Sequence, residues 1–278
     1  MLLAEQEQHH KGEEVRSLAA PTWTENIIEV AGGKIHCLQG GFGEPLLILH
    51  RDVGNPGWLP FYEQMAKKFT VYVPSHPGFD KSDRPDWMRN VRDLAAVYAW
   101  MLKDLNISSL SVIGLGFGGW IAAELATMNH SLFKKMVLVS AMGVQPGHGE
   151  IMDQFLLYTT DYIAAGFTDP SKMEQLYGKE PEIDQLVTWE INREMTTRIA
   201  WKPYMFNQAF PVLLGSVDTP TLIVWGKDDK IAPLNCGERY MQFLPRAQFV
   251  ALNQCGHFVE VEKADELSQL VLPFLAES

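Results

Sequence analysis

Residues 110–128 read Leu110-Ser111-Val112-Ile113-Gly114-Leu115-Gly116-Phe117-Gly118-Gly119-Trp120-Ile121-Ala122-Ala123-Glu124-Leu125-Ala126-Thr127-Met128. A short apolar run, a glycine cluster and an alanine-rich segment follow one another, which predicts a strand over Leu110–Ile113, a tight turn, and a helix over Trp120–Met128. The spacing of Gly114 and Gly118 is that of the G-x-S-x-G nucleophile elbow, whose flanking glycines admit a turn too tight for a Cβ. The central position is not serine but Gly116. Gly114, Gly116 and Gly119 also spell the dinucleotide fingerprint G-x-G-x-x-G. That fingerprint belongs to the first βα unit, with an acidic residue about 20 positions on, at the end of the next strand. Here the turn lies mid-chain and the next strand ends in Ser140, so an elbow without a nucleophile is the better reading.

Outward from the elbow, strand-sized apolar runs alternate with helical spacing. Ile27–Val30, Lys34–Leu38, Leu46–Leu49, Phe69–Val73, Met136–Val139, Leu222–Trp225 and Phe249–Leu252 read as strands. The continuous run Leu46–Leu49 is typical of a strand covered on both faces. Val91–Leu105 places Leu94, Tyr98 and Leu102 on one helical stripe, and Asp265–Leu275 closes the chain as a helix. This order predicts an α/β fold with a mostly parallel central sheet flanked by helices. The alternation lapses between Gly143 and Pro211, a stretch rich in Met, Tyr, Phe and Trp. The expected organisation is therefore a flexible tail at 1–22, a core at 23–142 and 212–278, and a helical cap at 143–211 over the sheet's carboxyl edge, where ligands of open α/β sheets sit.

Composition narrows the function. The 278 residues carry a formal net charge of −11, which disfavours phosphate backbones and anionic lipid. No apolar run approaches the roughly 20 residues of a membrane span, and the first residues lack the basic and apolar regions of a secretory signal. Cys37, Cys236 and Cys255 are sparse and odd in number, which suits a reducing compartment. The expectation is a cytoplasmic protein with a small-molecule substrate or ligand, no nucleic acid and no membrane partner; the sequence leaves a homodimer open. No metal-ligand cluster or nucleotide motif is present, so neither metal nor cofactor is expected. His9 and His10 read as a solvated pair in the tail.

The assembled motifs resemble the α/β-hydrolase family in its capped form, which includes carbon–carbon bond hydrolases and esterases. Leu49-His50 followed by Gly54 resembles the family's oxyanion loop, and Pro77-Gly78-Phe79-Asp80-Lys81-Ser82 its following turn. Trp201-Lys202-Pro203-Tyr204 resembles a segment at the end of the cap in some members. Pro220–Pro233 matches the acid loop, and Gly256-His257-Phe258 with Glu262-Lys263 matches the histidine loop. The resemblance implies that His257 is the general base, that Asp229 orients it, and that Asp228 is its non-catalytic neighbour. It also implies that the backbone N–H groups of Phe117 and Asp52 are oxyanion donors. His50, Arg51, Trp201, Tyr204 and Phe258 are the expected substrate-binding side chains, and Cys255 is expected to be an inert thiol.

Two departures bear on function. Gly116 excludes an acyl-enzyme at the usual position, a feature shared with the non-hydrolytic N-myc downstream-regulated branch of this fold. Arg51-Asp52 stands where the family usually has glycine after histidine, and the Asp52 carboxylate would oppose an oxyanion if it pointed inward. Three readings stay open: an enzyme acting through His257 without a covalent nucleophile, a binding protein that keeps only the pocket, and an ordinary serine hydrolase whose nucleophile has been substituted.

Overall fold

The computed structural model describes residues 22–277; the expected tail, with His9 and His10, lies almost wholly outside them. Along the chain run β1 (Trp23–Val30), β2 (Gly33–Gly41), β3 (Glu44–Leu49), α1 (Pro60–Ala66), β4 (Phe69–Pro74), α2 (Val91–Asp104), β5 (Leu110–Leu115), α3 (Phe117–Met128) and β6 (Phe133–Val139). Then follow α4 (Thr159–Ala165), α5 (Pro170–Tyr177), α6 (Ile183–Ala200), α7 (Phe210–Leu213), β7 (Thr221–Gly226), α8 (Leu234–Phe243), β8 (Ala247–Leu252), α9 (Val259–Glu262) and α10 (Ala264–Ala276). The eight strands form one sheet in the order β1-β2-β4-β3-β5-β6-β7-β8. The pairs β1–β2 and β2–β4 are antiparallel and all the others parallel.

Alternation builds two cores from single strands. Leu47 and Leu49 of β3, Val112 of β5, Leu138 of β6 and Ile223 of β7 enter the core beneath α2, α3 and α8. Their neighbours Leu46, Ile48, Ile113, Val137 and Leu222 enter the core beneath α1 and α10. Side chains one residue apart point to opposite faces, so a strand buried on both sides must be apolar throughout. The helices follow their own period: Leu94, Tyr98 and Leu102 of α2 are buried, and Asn90 caps that helix by accepting from the Asp93 N–H at 2.9 Å.

The carboxyl ends of β3, β5, β6, β7 and β8 all open on one edge of the sheet, and groups from residues 143–211 bond to the loops there. Asn192 of α6 donates to the Val53 carbonyl at 2.9 Å and to Asp80 at 2.8 Å. The Gly166 carbonyl after α4 accepts from the His257 N–H at 2.7 Å. No strand lies in this stretch, whose regular elements are helical.

Candidate active site

The elbow forms where β5 hands over to α3. Gly116 has φ +52° and ψ −113°, a left-handed conformation that strains any residue with a side chain by about 1–3 kcal/mol. It is fixed from both sides, its N–H donating to the Val139 carbonyl at 2.9 Å and its carbonyl accepting from Met142 at the same distance. A Cβ at Gly118 would run into the Leu49 carbonyl, so the start of α3 packs directly on the end of β3. The N–H of Phe117, first residue of α3, belongs to the donors that a helix leaves without a partner of its own.

The acid and histidine loops meet at the far side of the elbow. Asp229 Oδ1 accepts the backbone N–H groups of Ile231 and Ala232, each at 2.9 Å. This orients Oδ2 to accept from His257 Nδ1 at 2.8 Å. Both side chains are shut away from solvent, 2% and 0% exposed. With its proton on Nδ1, His257 presents a basic lone pair at Nε2, and this nitrogen is buried with no hydrogen-bond partner. It lies 3.2 Å from the point a Cβ on Gly116 would occupy.

Arg51 takes up the other side of that point. Its Nε and Nη2 form a two-pronged pair with Glu260 at 2.7 and 2.6 Å, and its guanidinium lies 5.0 Å over the Phe258 ring. Arg51 and Glu260 are only 2% and 3% exposed. Burial opposes the guanidinium's charge, but the Glu260 carboxylate, with Asp229 and Asp52 beyond it, holds its pKa above the ordinary arginine value. Nη1 remains buried and unpaired, 2.8 Å from the Gly116 Cβ position. The position that a nucleophile's Cβ would take is therefore crowded by a fixed cation on one side and faced by a fixed base on the other.

The other expected residues divide. Asp52 does not point at the elbow: its carboxylate accepts from Tyr162 Oη at 2.9 Å and Gln154 Nε2 at 3.4 Å. Burial and this carboxylate push the Tyr162 phenol well above its usual range. His50 is spent within the protein, contrary to its expected contact with substrate. Its Nδ1 donates to the Arg51 carbonyl at 2.6 Å, and its Nε2 accepts the His76 N–H at 2.8 Å. His76 in turn donates from Nε2 to the His50 carbonyl and accepts from the Tyr98 hydroxyl. Tyr204 is likewise committed, donating to the Met152 carbonyl and accepting from the Gln154 N–H, both at 3.0 Å. Trp201 packs on Phe155 and Tyr204 and is half exposed. Phe258 stacks on Phe167 with ring centres 4.4 Å apart and presents its face to Arg51. Cys255 is a free, buried thiol whose pKa burial raises, the reverse of a nucleophile's activation.

Two features lie outside the sequence reading. Glu260 is one, 209 positions from its partner; nothing in Val259-Glu260-Val261-Glu262 marks it as buried. The other is Ser140 at the end of β6, fully buried at φ +47° with a hydroxyl that finds no partner. Among the described residues, no group of three or more His, Cys, Asp or Glu side chains is placed to hold a metal ion. No helix there is long and apolar enough to cross a membrane. A depression of about 700 Å³ lined by Glu44, Lys68, Ser111, Lys134 and Glu277 lies at the opposite, amino end of the strands and takes no part in this site.

An elbow after β5, an acid after β7 and a histidine after β8 occur together with a match to the alpha/beta hydrolase family over residues 46–270. The chain belongs to that family. Among curated proteins it is 27% identical to a 2-hydroxy-6-oxononadienedioate/2-hydroxy-6-oxononatrienedioate hydrolase of Cupriavidus pinatubonensis, covering 87% of this chain and 90% of the relative. It is 26% identical to a 2-hydroxy-6-oxo-6-phenylhexa-2,4-dienoate hydrolase of Burkholderia cepacia, with 87% and 91% covered. Among solved structures, a meta-cleavage product hydrolase of Pseudomonas fluorescens superposes with a TM-score of 0.76 at 21% identity, over 90% of this chain and 96% of that one. A naproxen esterase of Bacillus subtilis does so with a TM-score of 0.74 at 17% identity, over 91% of each. These structural likenesses establish the shared fold.

Proposed function

We propose that this alpha/beta hydrolase acts on a small, mostly apolar carbonyl compound, an ester, lactone or ketone-activated C–C bond, without forming a covalent intermediate. One observation carries the reading: His257 Nε2, held by Asp229, is buried, unpaired and faces the elbow at Gly116. In the proposed cycle His257 takes a proton from water held there, and the water oxygen bonds to the substrate carbonyl carbon. The carbonyl electron pair moves to its oxygen, stabilised by the N–H groups of Phe117 and Asp52. Collapse of this adduct breaks the C–O or C–C bond, and the proton on His257 passes to the leaving group. Residues 143–211 serve as the cap, and the chemistry calls for no cofactor. The named activities of the curated relatives cited, hydrolases of 2-hydroxy-6-oxo dienoates and related compounds, support a carbonyl substrate.

The fit of Arg51 to Gly116 disfavours a simply substituted serine hydrolase, because a serine Cβ would press on a guanidinium locked by Glu260. The diverged oxyanion loop, with Arg51 engaged by Glu260 and Asp52 by Tyr162, favours a second reading, ligand binding without turnover. A panel of activated esters, lactones and vinylogous 1,5-diketones, assayed with intact-mass detection, separates them. The expected result is slow turnover, about 10²–10⁴-fold lower in His257→Ala, and no protein adduct. Equal rates in His257→Ala, or an acyl adduct on Ser140, would overturn the mechanism. Tight binding with no turnover would establish the second reading.

A further inference from the structure

The turn that carries Arg51 and Asp52 is held at several points. At its root, the His50 carbonyl accepts from His76 Nε2 at 2.9 Å. The Gly54 N–H donates to the Arg51 carbonyl at 3.1 Å and closes Arg51-Asp52-Val53-Gly54 into a four-residue turn. Among the described residues, the Asp52 N–H donates to no backbone carbonyl. Tyr162 and Gln154 hold the Asp52 carboxylate, but only through side-chain torsions. The main chain is gripped further on, where Asp80 Oδ2 accepts the Asn55 N–H and the Val53 carbonyl accepts from Asn192, both at 2.9 Å.

Asn192 makes this grip specific. It is fully buried within α6, where asparagine is a poor helix former and a buried amide needs partners. Nδ2 donates to the Val53 carbonyl and, at 2.8 Å, to Asp80 Oδ1, while Oδ1 accepts the Asp80 N–H at 2.8 Å. Two acceptors and one donor meet the amide, so a carboxylate or an apolar side chain could not take its place. Asp80 stands at φ +49°, a left-handed conformation that Asp tolerates better than most residues. A Cβ at Gly54 would run into Asp80 Oδ1 and Asn192 Nδ2, so glycine there lets the turn and the two side chains meet.

We propose that Asn192 is the positioning residue of the oxyanion loop: together with Asp80 it fixes the turn 51–54, and with it the direction of the Asp52 N–H. The catalytic consequence rests on the hydrolytic reading, in which that N–H stabilises the anionic adduct. An oxyanion donor works because it is already aimed before charge develops, and a short turn keeps its aim only if its main chain is anchored. α6 therefore serves the chemistry from a distance. Asn192 acts through residues 139 and 112 positions away in the chain and does not touch the reacting atoms.

The test exchanges the partners. Asn192→Asp sets two carboxylates against each other and leaves the Val53 carbonyl without its donor. Adding Asp80→Asn restores an amide–carboxylate pair with the roles reversed, and only the Val53 bond stays lost. In hydrogen exchange resolved by NMR on the full chain, Gly54 and Asn55 should exchange about tenfold or more faster in Asn192→Asp and return to within about threefold of the native rate in the double variant, with α2 and α3 unaffected. In turnover of activated esters, kcat should fall about tenfold or more in Asn192→Asp, short of the roughly 10²–10³-fold loss of a donor itself, with KM held within about twofold. The double variant should recover most of it. Should Asn192→Asp fail to fold, Asp80→Asn alone, which sets one amide against another, is the impaired member of the pair. Native exchange at Gly54 and Asn55 in the single variants, no recovery in the double variant, or a raised KM at unchanged kcat would each overturn the proposal. Absence of ester turnover in the native chain would strike the hydrolytic reading instead, and the exchange rates would still decide whether Asn192 holds the turn.

Discussion

At Gly116 the backbone keeps a nucleophile's geometry while the side chain's place is bordered by Arg51 and His257. Restoring the hydroxyl should therefore fail by itself. Gly116→Ser is expected to lower stability by about 1–3 kcal/mol through its left-handed φ and to remain unlabelled by a fluorophosphonate probe. Labelling should return only with Arg51→Gly and Glu260→Gln added, as read by intact mass; strong labelling of the single variant would show that Arg51 yields freely. The ion pair has its own signature. Glu260→Leu alone leaves a buried guanidinium unpaired and should cost about 3–5 kcal/mol, whereas the double change with Arg51→Met should recover most of it in urea denaturation. These residues show where reading from sequence stops. Asp229 and His257 stand in recognisable loops, and their juxtaposition is the one those loops imply. The Arg51–Glu260 pair joins residues from opposite ends of the chain, and no local pattern announces a long-range contact. His50 reads from sequence both as a contact for substrate and as a residue that packs or hydrogen-bonds the oxyanion loop, and the fold, where the Arg51 carbonyl and the His76 N–H use up both ring nitrogens, favours the second.

Strands and helices were more legible than pairings. Leu46–Leu49 and Leu110–Ile113 are apolar without interruption because the sheet is covered on both faces, and α2 declared itself by Leu94, Tyr98 and Leu102. The short α1 and α8 carry a weaker signal: Pro60–Ala66 spans fewer than two full turns, and Leu234–Phe243 is interrupted by Gly237, a poor helix former. Polar bonds tie the helices of 143–211 to the loops at the sheet edge, among them the buried bond from Tyr162 to Asp52. Tyr162→Phe removes a donor from an enclosed carboxylate, a change of about 1–3 kcal/mol. The expected consequence is faster hydrogen exchange in α4 and at the Gly166–His257 contact, with α2 and α3 unaffected. Exchange unchanged in α4 would mean that other contacts hold this segment down.

Across the whole molecule, acid should undo the network under the elbow. Burial lowers the pKa of His50, and burial together with its neighbour His50 lowers that of His76 further, so both remain neutral in the fold. Unfolded, each would titrate near about 6.5. As pH falls below that value the unfolded chain binds protons the native state refuses. Stability should thus be level on the alkaline side and decline by up to about 1.4 kcal/mol per pH unit for each histidine on the acid side. Urea unfolding between pH 5 and 7.5 measures this slope, and a flat profile would contradict a neutral pair. The net charge of −11 acts at the same scale by a different route, since uniform self-repulsion weakens with salt while the histidine slope should not.

The fit between Gly116, Arg51 and Glu260 also limits the chain's evolutionary reversibility. Serine at 116 meets the arginine; glycine at 51 strands the glutamate; glutamine at 260 strands the arginine. Each single substitution toward a serine nucleophile is expected to give a less stable protein, and none of them alone to supply a working hydroxyl. Selection acting one substitution at a time would meet a cost at each first step, so the geometry of one buried ion pair would hold glycine in place as a ratchet does.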